Sequence, residues 1–90
     1  MSKILVLITL SESGIATIKS TPELPKKETD FVNQWREQEI LESFFISVSK
    51  KSAVLIFKNI DDSKTKELIE TLPYFPYMET IEYHNLNQQF

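Results

Sequence analysis

The sequence has the length and composition of one small globular domain, which we expect to span residues 1–90. A hydrophobic content of 41% beside 26% charged residues excludes a chain that is disordered throughout. One glycine and no cysteine argue against a glycine-rich phosphate loop and exclude a disulfide or a thiol nucleophile. A net charge of −3 without a basic face predicts that the protein does not bind nucleic acid.

The first predicted element is a strand at the continuously apolar run from Ile4 to Ile8, which Leu10 extends. Such a run is typical of a strand that is buried on both faces. The run is too short to cross a membrane, and no small-residue cleavage site follows it. We therefore expect a soluble cytoplasmic protein that does not engage a membrane.

The stretch after this strand allows more than one interpretation. Ser11 to Gly14 predicts a turn, and Ile15 to Lys19 fits either a short strand that folds back or an irregular approach to a helix. Pro22 and Pro25 indicate that a helix begins nearby, because proline is tolerated in a first helical turn. The spacing of apolar residues then predicts a loosely amphipathic helix from about Lys26 to Leu41.

The second half of the chain begins with a predicted β-hairpin. Phe44 to Val48 and Ala53 to Phe57 have the composition of strands, and a tight polar turn joins them. A helix is predicted from the acidic pair Asp61-Asp62, which suits the positive end of a helix dipole, to about Thr71. The alternation from Glu79 to His84 predicts a half-buried last strand at an edge of the sheet.

The order of these elements predicts an α+β fold of the ferredoxin-like βαββαβ type with a four-stranded antiparallel sheet. In that topology the first and third strands are central, and here they are the two fully apolar ones. Two helices cover only one face of such a sheet, whereas both central strands are apolar on both faces. We therefore expect a homodimer, or a multiple of it, in which two sheets pack face to face as a dimeric α+β barrel.

A segment rich in proline and aromatic residues joins the last helix to the last strand. This proline segment runs Leu72-Pro73-Tyr74-Phe75-Pro76-Tyr77-Met78. Pro73 disfavours helical geometry at Leu72, and Pro76 keeps the next turn from becoming a regular helix or an inner strand. The large apolar side chains between these stops predict a rigid plug that packs on the rest of the protein, although a well-packed loop fits the same residues.

The proline segment resembles the corresponding segment of the muconolactone isomerases, small enzymes of aromatic-compound breakdown. The similarity extends back without a gap to about Lys50 and weakens before it. It implies a related barrel fold and a reaction that shifts a double bond in an unsaturated lactone by moving a proton between carbons. The family's second strand typically carries histidine, tryptophan and arginine, where this chain has Ser43, Phe45 and Ile46. We therefore expect negligible turnover of muconolactone itself.

Three residues are candidates for proton transfer. His84 is the only histidine, a residue type that ordinarily titrates near neutral pH, but near a strand end it also fits a surface position. Glu82 shares its strand face and could pair with it, or belong to a solvated edge. Glu28 stands where the resembling family has a helix glutamate, although a lone carboxylate on a helix commonly faces solvent.

Five further residues are candidates for ligand binding: Tyr77, Tyr83, Trp35, Phe45 and Ser52. The tyrosine hydroxyls can donate to a ligand oxygen or be satisfied at the margin of the core. Trp35 also fits a core position, and Ser52 also fits a simple turn. No histidine–carboxylate cluster has metal-ligand spacing, so we expect neither a metal nor another cofactor.

Three functions remain open at this point. The first is an isomerase-like enzyme that isomerises or binds a small unsaturated or aromatic-derived compound, using intramolecular proton transfer. The second is a non-catalytic oligomeric module for ligand binding or structure. The third is a cofactor-free oxygenase of the same barrel class, which rests on fold analogy alone. A pocket with converging polar side chains would favour an enzyme over a structural module.

Overall fold

The computed structural model describes residues 3–90, and it confirms the predicted fold class. Within these residues, one antiparallel sheet of four strands carries three α-helices and a short 3-10 turn. No helix in the same range is both long enough and apolar enough to span a membrane. The elements in chain order are β1 (Lys3–Leu10), α1 (Glu12–Ser20), α2 (Glu23–Glu37), β2 (Leu41–Ile46), β3 (Ser52–Phe57), α3 (Asp62–Glu70), the 3-10 turn (Phe75–Tyr77) and β4 (Met78–Leu86).

The strands lie in the order β2-β3-β1-β4, so β1 and β3 are central and β4 is at an edge, as predicted. Ile4, Val6 and Ile8 of β1 are buried under the helices. The side chains between them point to the other side of the sheet, which we call the open face. The open face carries Leu5, Leu7, Phe45, Val54 and Ile56, together with Glu82 and His84.

The core lies between the sheet and the helices α2 and α3. Val32 and Trp35 of α2 and Ile69 of α3 are buried in it. The rings of Trp35 and Phe57 pack with their centroids 5.5 Å apart. Burying side chains of this size contributes on the order of 2 kcal/mol each, which holds the helices on this face of the sheet.

Helix α1 stands where the sequence suggested a turn followed by a short strand or an irregular segment. The hydroxyl of Ser11 caps it by accepting the Gly14 N–H at 3.0 Å. Gly14 has no positive φ; instead, an added Cβ would lie 2.6 Å from the Cβ of Tyr77 and 2.9 Å from its carbonyl oxygen. The prediction of a turn at Ser11 to Gly14 was wrong because the glycine provides space for a neighbouring segment rather than a change of chain direction.

Helix α2 begins and ends about one turn earlier than predicted. Its end is a Schellman motif, in which Ile40 N–H donates to the carbonyl of Trp35 and Glu39 N–H donates to that of Arg36, both at 3.1 Å. Glu39 takes the left-handed position of the motif, with φ 60°. Leu41 consequently begins β2 instead of ending the helix, and β2 lies about three residues earlier than the sequence suggested.

The proline segment ends α3 and leads directly into β4, as predicted. Leu72 is buried, with 3% of its surface exposed, whereas Phe75 is 37% exposed. Tyr74 and Tyr77 are half-buried. The segment therefore packs on the chain through Leu72 and the two tyrosines, and the phenylalanine adds little to the core of the single chain.

Candidate ligand pocket

A pocket of about 450 Å³ lies between the helical layer and one end of the sheet. At this end β1 finishes and β3 and β4 begin, because Ile8 pairs with Ala53 and Leu10 pairs with Met78. The volume is within the range of small-molecule sites. Apolar side chains from both layers line it, including Ile8, Ile18, Val32, Phe44, Leu55 and Leu72. Its polar lining consists of Lys19, Glu28, Thr29, Asn33, Lys50, Ser52 and Tyr74.

Glu28 is the acidic side chain of this lining, and its position follows from the amphipathic pattern of α2. Val32 and Trp35 lie four and seven residues further along the helix, on the buried stripe. Glu28 therefore occupies a place on that stripe where an apolar residue would be usual. Its carboxylate is half-buried and faces the pocket rather than open solvent.

The surroundings of Glu28 change its acidity. Burial raises the pKa of its carboxyl from the ordinary 4.5 to about 7, because the ionised form loses solvation. The backbone N–H of Tyr74 donates to one carboxyl oxygen at 3.1 Å, which offsets part of this effect. No other hydrogen bond to this carboxyl is found within residues 3–90, so its second oxygen is available to a ligand.

Tyr74 lies beside Glu28 in the pocket, although it was not among the residues that the sequence suggested. Burial, and then the nearby charge of Glu28, raise the pKa of its phenol. The residue reaches Glu28 through its backbone, at the point where the proline segment leaves α3. A backbone contact of this kind leaves no signal in the choice of side chain.

The candidates on β2 and β3 divide between the two faces of the sheet. Ser52 lies at the pocket, and its hydroxyl is 3.3 Å from that of Thr9. Phe45 does not reach the pocket: it is on the open face opposite Val54 and is 59% exposed. Its neighbour Phe44 lines the pocket instead.

His84 and Glu82 lie together on β4, but away from the pocket. Their side chains are exposed, with Nε2 of the histidine 3.6 Å from Oε1 of the glutamate. They pair across the sheet with Leu5 and Leu7 and therefore point to the open face. The structure does not bring them near Glu28, and a catalytic role for either stays a prediction.

The remaining aromatic candidates also lie outside the pocket lining. Trp35 is a core residue, 3% exposed. Tyr77 packs against Gly14, and its carbonyl accepts the Ser11 N–H at 2.9 Å, so it fastens α1 to the proline segment. Tyr83 is half-buried beside the core, with the Lys66 ammonium 5.5 Å from the centre of its ring. Their roles in ligand binding stay predictions.

A second cavity lies at the beginning of α3, where Asp61, Asp62 and Asn85 line it. The Asn85 amide donates to the Asp62 carboxylate at 3.2 Å, so the acidic group is already satisfied in part by the chain. Across the described range, 3–90, no three histidine, cysteine or acidic side chains are grouped so that they could hold a metal.

The fold and the pocket together define a ferredoxin-like α+β protein with an apolar cavity under its helices. No protein-family model matches the chain, and the comparison with curated proteins likewise gives no match. Solved structures do match it over nearly the whole length.

One is an antibiotic biosynthesis monooxygenase, with 12% identity, a TM-score of 0.59 and coverage of 98% of both chains. Another is a putative antibiotic biosynthesis monooxygenase from Nitrosomonas europaea, with 12% identity, a TM-score of 0.58 and coverage of 100% of both chains. A third is the structured domain of Caenorhabditis elegans BMY-1, with 16% identity, a TM-score of 0.52 and coverage of 100% of this chain and 98% of that one. At these identities the similarity concerns the fold alone, and the specific resemblance to muconolactone isomerases stays a prediction.

Proposed function

We propose that the protein is an enzyme that binds a small, mainly apolar molecule in this pocket and exchanges a proton with it through Glu28. The observation that carries the proposal is a carboxyl group with a pKa of about 7 in an otherwise largely apolar cavity. At neutral pH such a group is protonated in about half of the molecules, so it can both take and return a proton. A carboxyl with an ordinary pKa would be a much weaker base.

The simplest reaction of this kind is isomerisation. The ionised carboxyl removes a proton from a carbon next to a carbonyl or a double bond. The protonated carboxyl then returns it to another carbon of the same conjugated system, so no atom is gained or lost. The free oxygen of Glu28 is suited to this task because the N–H of Tyr74 fixes the other one.

A cofactor-free oxygenase is the second candidate, and the names of two structural neighbours favour it. It would use the same first step, because removal of a proton from an activated CH₂ group gives an electron-rich anion that O₂ can oxidise. In such a reaction a CH₂ group and O₂ give a carbonyl group and water, so the substrate supplies all the electrons. Isomerase and oxygenase thus differ only after the proton has left.

Anthrone is a suitable probe because it is apolar and has an acidic methylene group beside two aromatic rings. We expect the protein to speed exchange of these protons in deuterated buffer under nitrogen. In the Glu28→Gln variant the exchange should be at least about tenfold slower. The matched control is Glu37→Gln, an exposed carboxylate on the same helix. Anthraquinone formed faster than in buffer after air is admitted would identify an oxygenase.

Other outcomes would contradict the proposal. Exchange at the buffer rate, or at an equal rate in Glu28→Gln, would leave the non-catalytic binding module as the better interpretation. In the same assay we expect no conversion of muconolactone above buffer, because its small polar lactone leaves most of the apolar lining unfilled.

We also propose that the open face packs against the same face of a second copy. Leu5, Leu7, Val54 and Ile56 form its centre, and water would otherwise contact this apolar surface. Light scattering should give about twice the single-chain mass of 10.5 kDa, or a multiple of that. A charge at the centre, as in Leu7→Lys, should lower the mass, whereas Glu12→Lys on α1 should not. A wild-type mass near 10.5 kDa would contradict this assembly.

A further inference from the structure

Two lysines line the pocket from different parts of the fold. Lys19 is in the last turn of α1, and Lys50 is in the turn between β2 and β3. Both are exposed, as expected for ammonium groups at the rim of a cavity. Within residues 3–90 the ion pairs of lysine are formed by Lys3 and Lys64, so neither rim lysine is neutralised by a carboxylate of the chain.

The backbone at Lys50 is unusual. Its φ of 64° is in the left-handed region, where a residue with a long side chain costs about 1 kcal/mol relative to glycine. The Lys50 N–H donates to the Ser47 carbonyl at 2.8 Å, which fixes the turn in this conformation. Asparagine or glycine would satisfy the same turn with less strain, so the geometry of the turn does not explain a lysine at this position.

The charges of the pocket therefore have a clear pattern. The interior is mainly apolar, with Glu28 as its acidic group, and that carboxyl is ionised in only about half of the molecules at neutral pH. The rim adds two positive charges. The charged groups of the lining thus favour an anion at the pocket entrance, although the whole chain has a net charge of −3.

We infer that the ligand of this pocket is an apolar molecule with a single anionic group, and that Lys19 and Lys50 hold that group at the rim while the apolar body fills the cavity. This inference rests on the proposed ligand pocket and names its ligand class. It makes the two lysines specificity residues, since they favour an acid over the corresponding neutral compound. They also provide positive charge for a ligand carboxylate, whereas β2 has no lysine or arginine that could do so.

The lining argues against other anions. A nucleotide or a sugar phosphate would bring several hydroxyl and phosphate oxygens into a cavity whose interior offers few donors. Phosphate sites normally use successive backbone N–H groups or arginine forks, and the polar lining here has neither an arginine nor a glycine-rich loop. Two flexible ammonium groups suit one carboxylate, phenolate or sulfonate at the solvent boundary.

A pair of fluorescent dyes tests this inference, because they share an apolar body and differ in charge. The anionic probe is 8-anilinonaphthalene-1-sulfonate, and the neutral one is N-phenyl-1-naphthylamine. We expect the double variant Lys19→Gln/Lys50→Gln to weaken binding of the anionic dye roughly fivefold or more, and of the neutral dye less than about twofold. In the wild-type protein, added salt should weaken binding of the anionic dye and leave binding of the neutral dye unchanged. The control is Lys27→Gln, because Lys27 is an exposed lysine of α2 outside the pocket lining, and it should not change the binding of either dye.

A further variant establishes where the dyes bind. Ala53→Phe reduces the pocket volume and should weaken binding of both dyes. That result would exclude binding of the dyes on the open face. Competition by 2-naphthoate and by decanoate then tells whether an aromatic or an aliphatic acid fits better.

Each contrary outcome has its own meaning. Equal weakening of both dyes by the lysine variant, or an anionic dye that is insensitive to salt, would overturn the lysine role and leave the pocket proposal intact. If neither dye binds, or if Ala53→Phe changes neither, the pocket is not a binding site and both proposals fail.

Discussion

Replacing Glu28 by glutamine is expected to make the folded protein more stable at alkaline pH and to flatten the pH dependence of its stability. The carboxyl has a pKa of about 7 in the folded chain and 4.5 as its ordinary value. Between these values the folded protein holds a proton that the unfolded chain releases. The stability from this group is therefore fully present below about pH 4.5 and is lost as the pH rises to about 7.

The size of the effect follows from the difference between the two pKa values. It corresponds to at most about 3 kcal/mol, which we reduce to about 2 kcal/mol because the group is only partly buried. Glutamine has nearly the same shape, and its side-chain oxygen can still accept the Tyr74 N–H. The variant should thus be close to wild type near pH 4.5 and more stable by that amount near pH 8.

Urea denaturation at several pH values, at one fixed protein concentration, measures this difference directly. The exposed Glu37→Gln variant is the matched control and should keep the wild-type pH dependence. Parallel stability curves for wild type and Glu28→Gln would mean that the carboxyl titrates normally, and the proposed proton transfer would lose its basis.

A carboxyl that lowers stability at physiological pH is informative about function. An apolar residue at this place on α2 would extend the buried stripe of Val32 and Trp35 without any cost of ionisation. Groups that are costly for folding are concentrated at sites of binding and catalysis. Stability and the proposed proton transfer thus make opposite demands on the same side chain.

Much of the fold could be predicted from the sequence because the strongest patterns are local. The runs around Val6 and Leu55 are apolar on both faces, which places their strands at the centre of the sheet. The alternation around Tyr83 correctly places the last strand at an edge. Asp61 caps α3 as its type suggests, accepting the Lys64 N–H at 2.8 Å.

The failures occur where tertiary contacts override local preference. Gly14 is a helix residue because Tyr77 packs against it, and a contact 63 positions away in the chain is invisible to a local pattern. The end of α2 was placed too late because its left-handed residue is Glu39, where glycine would have given the usual signal. Only the first of these segments borders the pocket, through Ile15, Ile18 and Lys19.

The candidate site was predictable only in part. Glu28 was identified as a candidate, and its spacing from Val32 and Trp35 would have supported it further. Tyr74 contributes a backbone N–H, and such a contact depends on the path of the chain rather than on the residue type. Lys19 was missed because its helix was not recognised. Lys50 was assigned to a turn, correctly, without a reason to expect a pocket beside it.

The second large effect is expected in the proline segment, where Leu72→Ala and Phe75→Ala should differ strongly. Leu72 is 3% exposed and belongs to the core cluster that contains Val32 and Trp35, so its truncation should lower the free energy of unfolding by about 2–4 kcal/mol. Phe75 is 37% exposed in the single chain, and its truncation should cost about 1 kcal/mol or less.

The comparison separates two ways in which this segment can be stabilised. Urea midpoints at unchanged slope report the two costs, and thermal unfolding provides a second measure of the same order. If Phe75→Ala costs as much as Leu72→Ala, a surface outside the single chain must cover the phenylalanine ring. Light scattering of Phe75→Ala would then show a lower mass than wild type, because the partner surface would have lost its contact. If the mass is unchanged and Leu72→Ala is the costly change, the proline segment is stabilised by contacts within its own chain. The position of the Tyr74 N–H beside the Glu28 carboxyl then depends on the burial of Leu72.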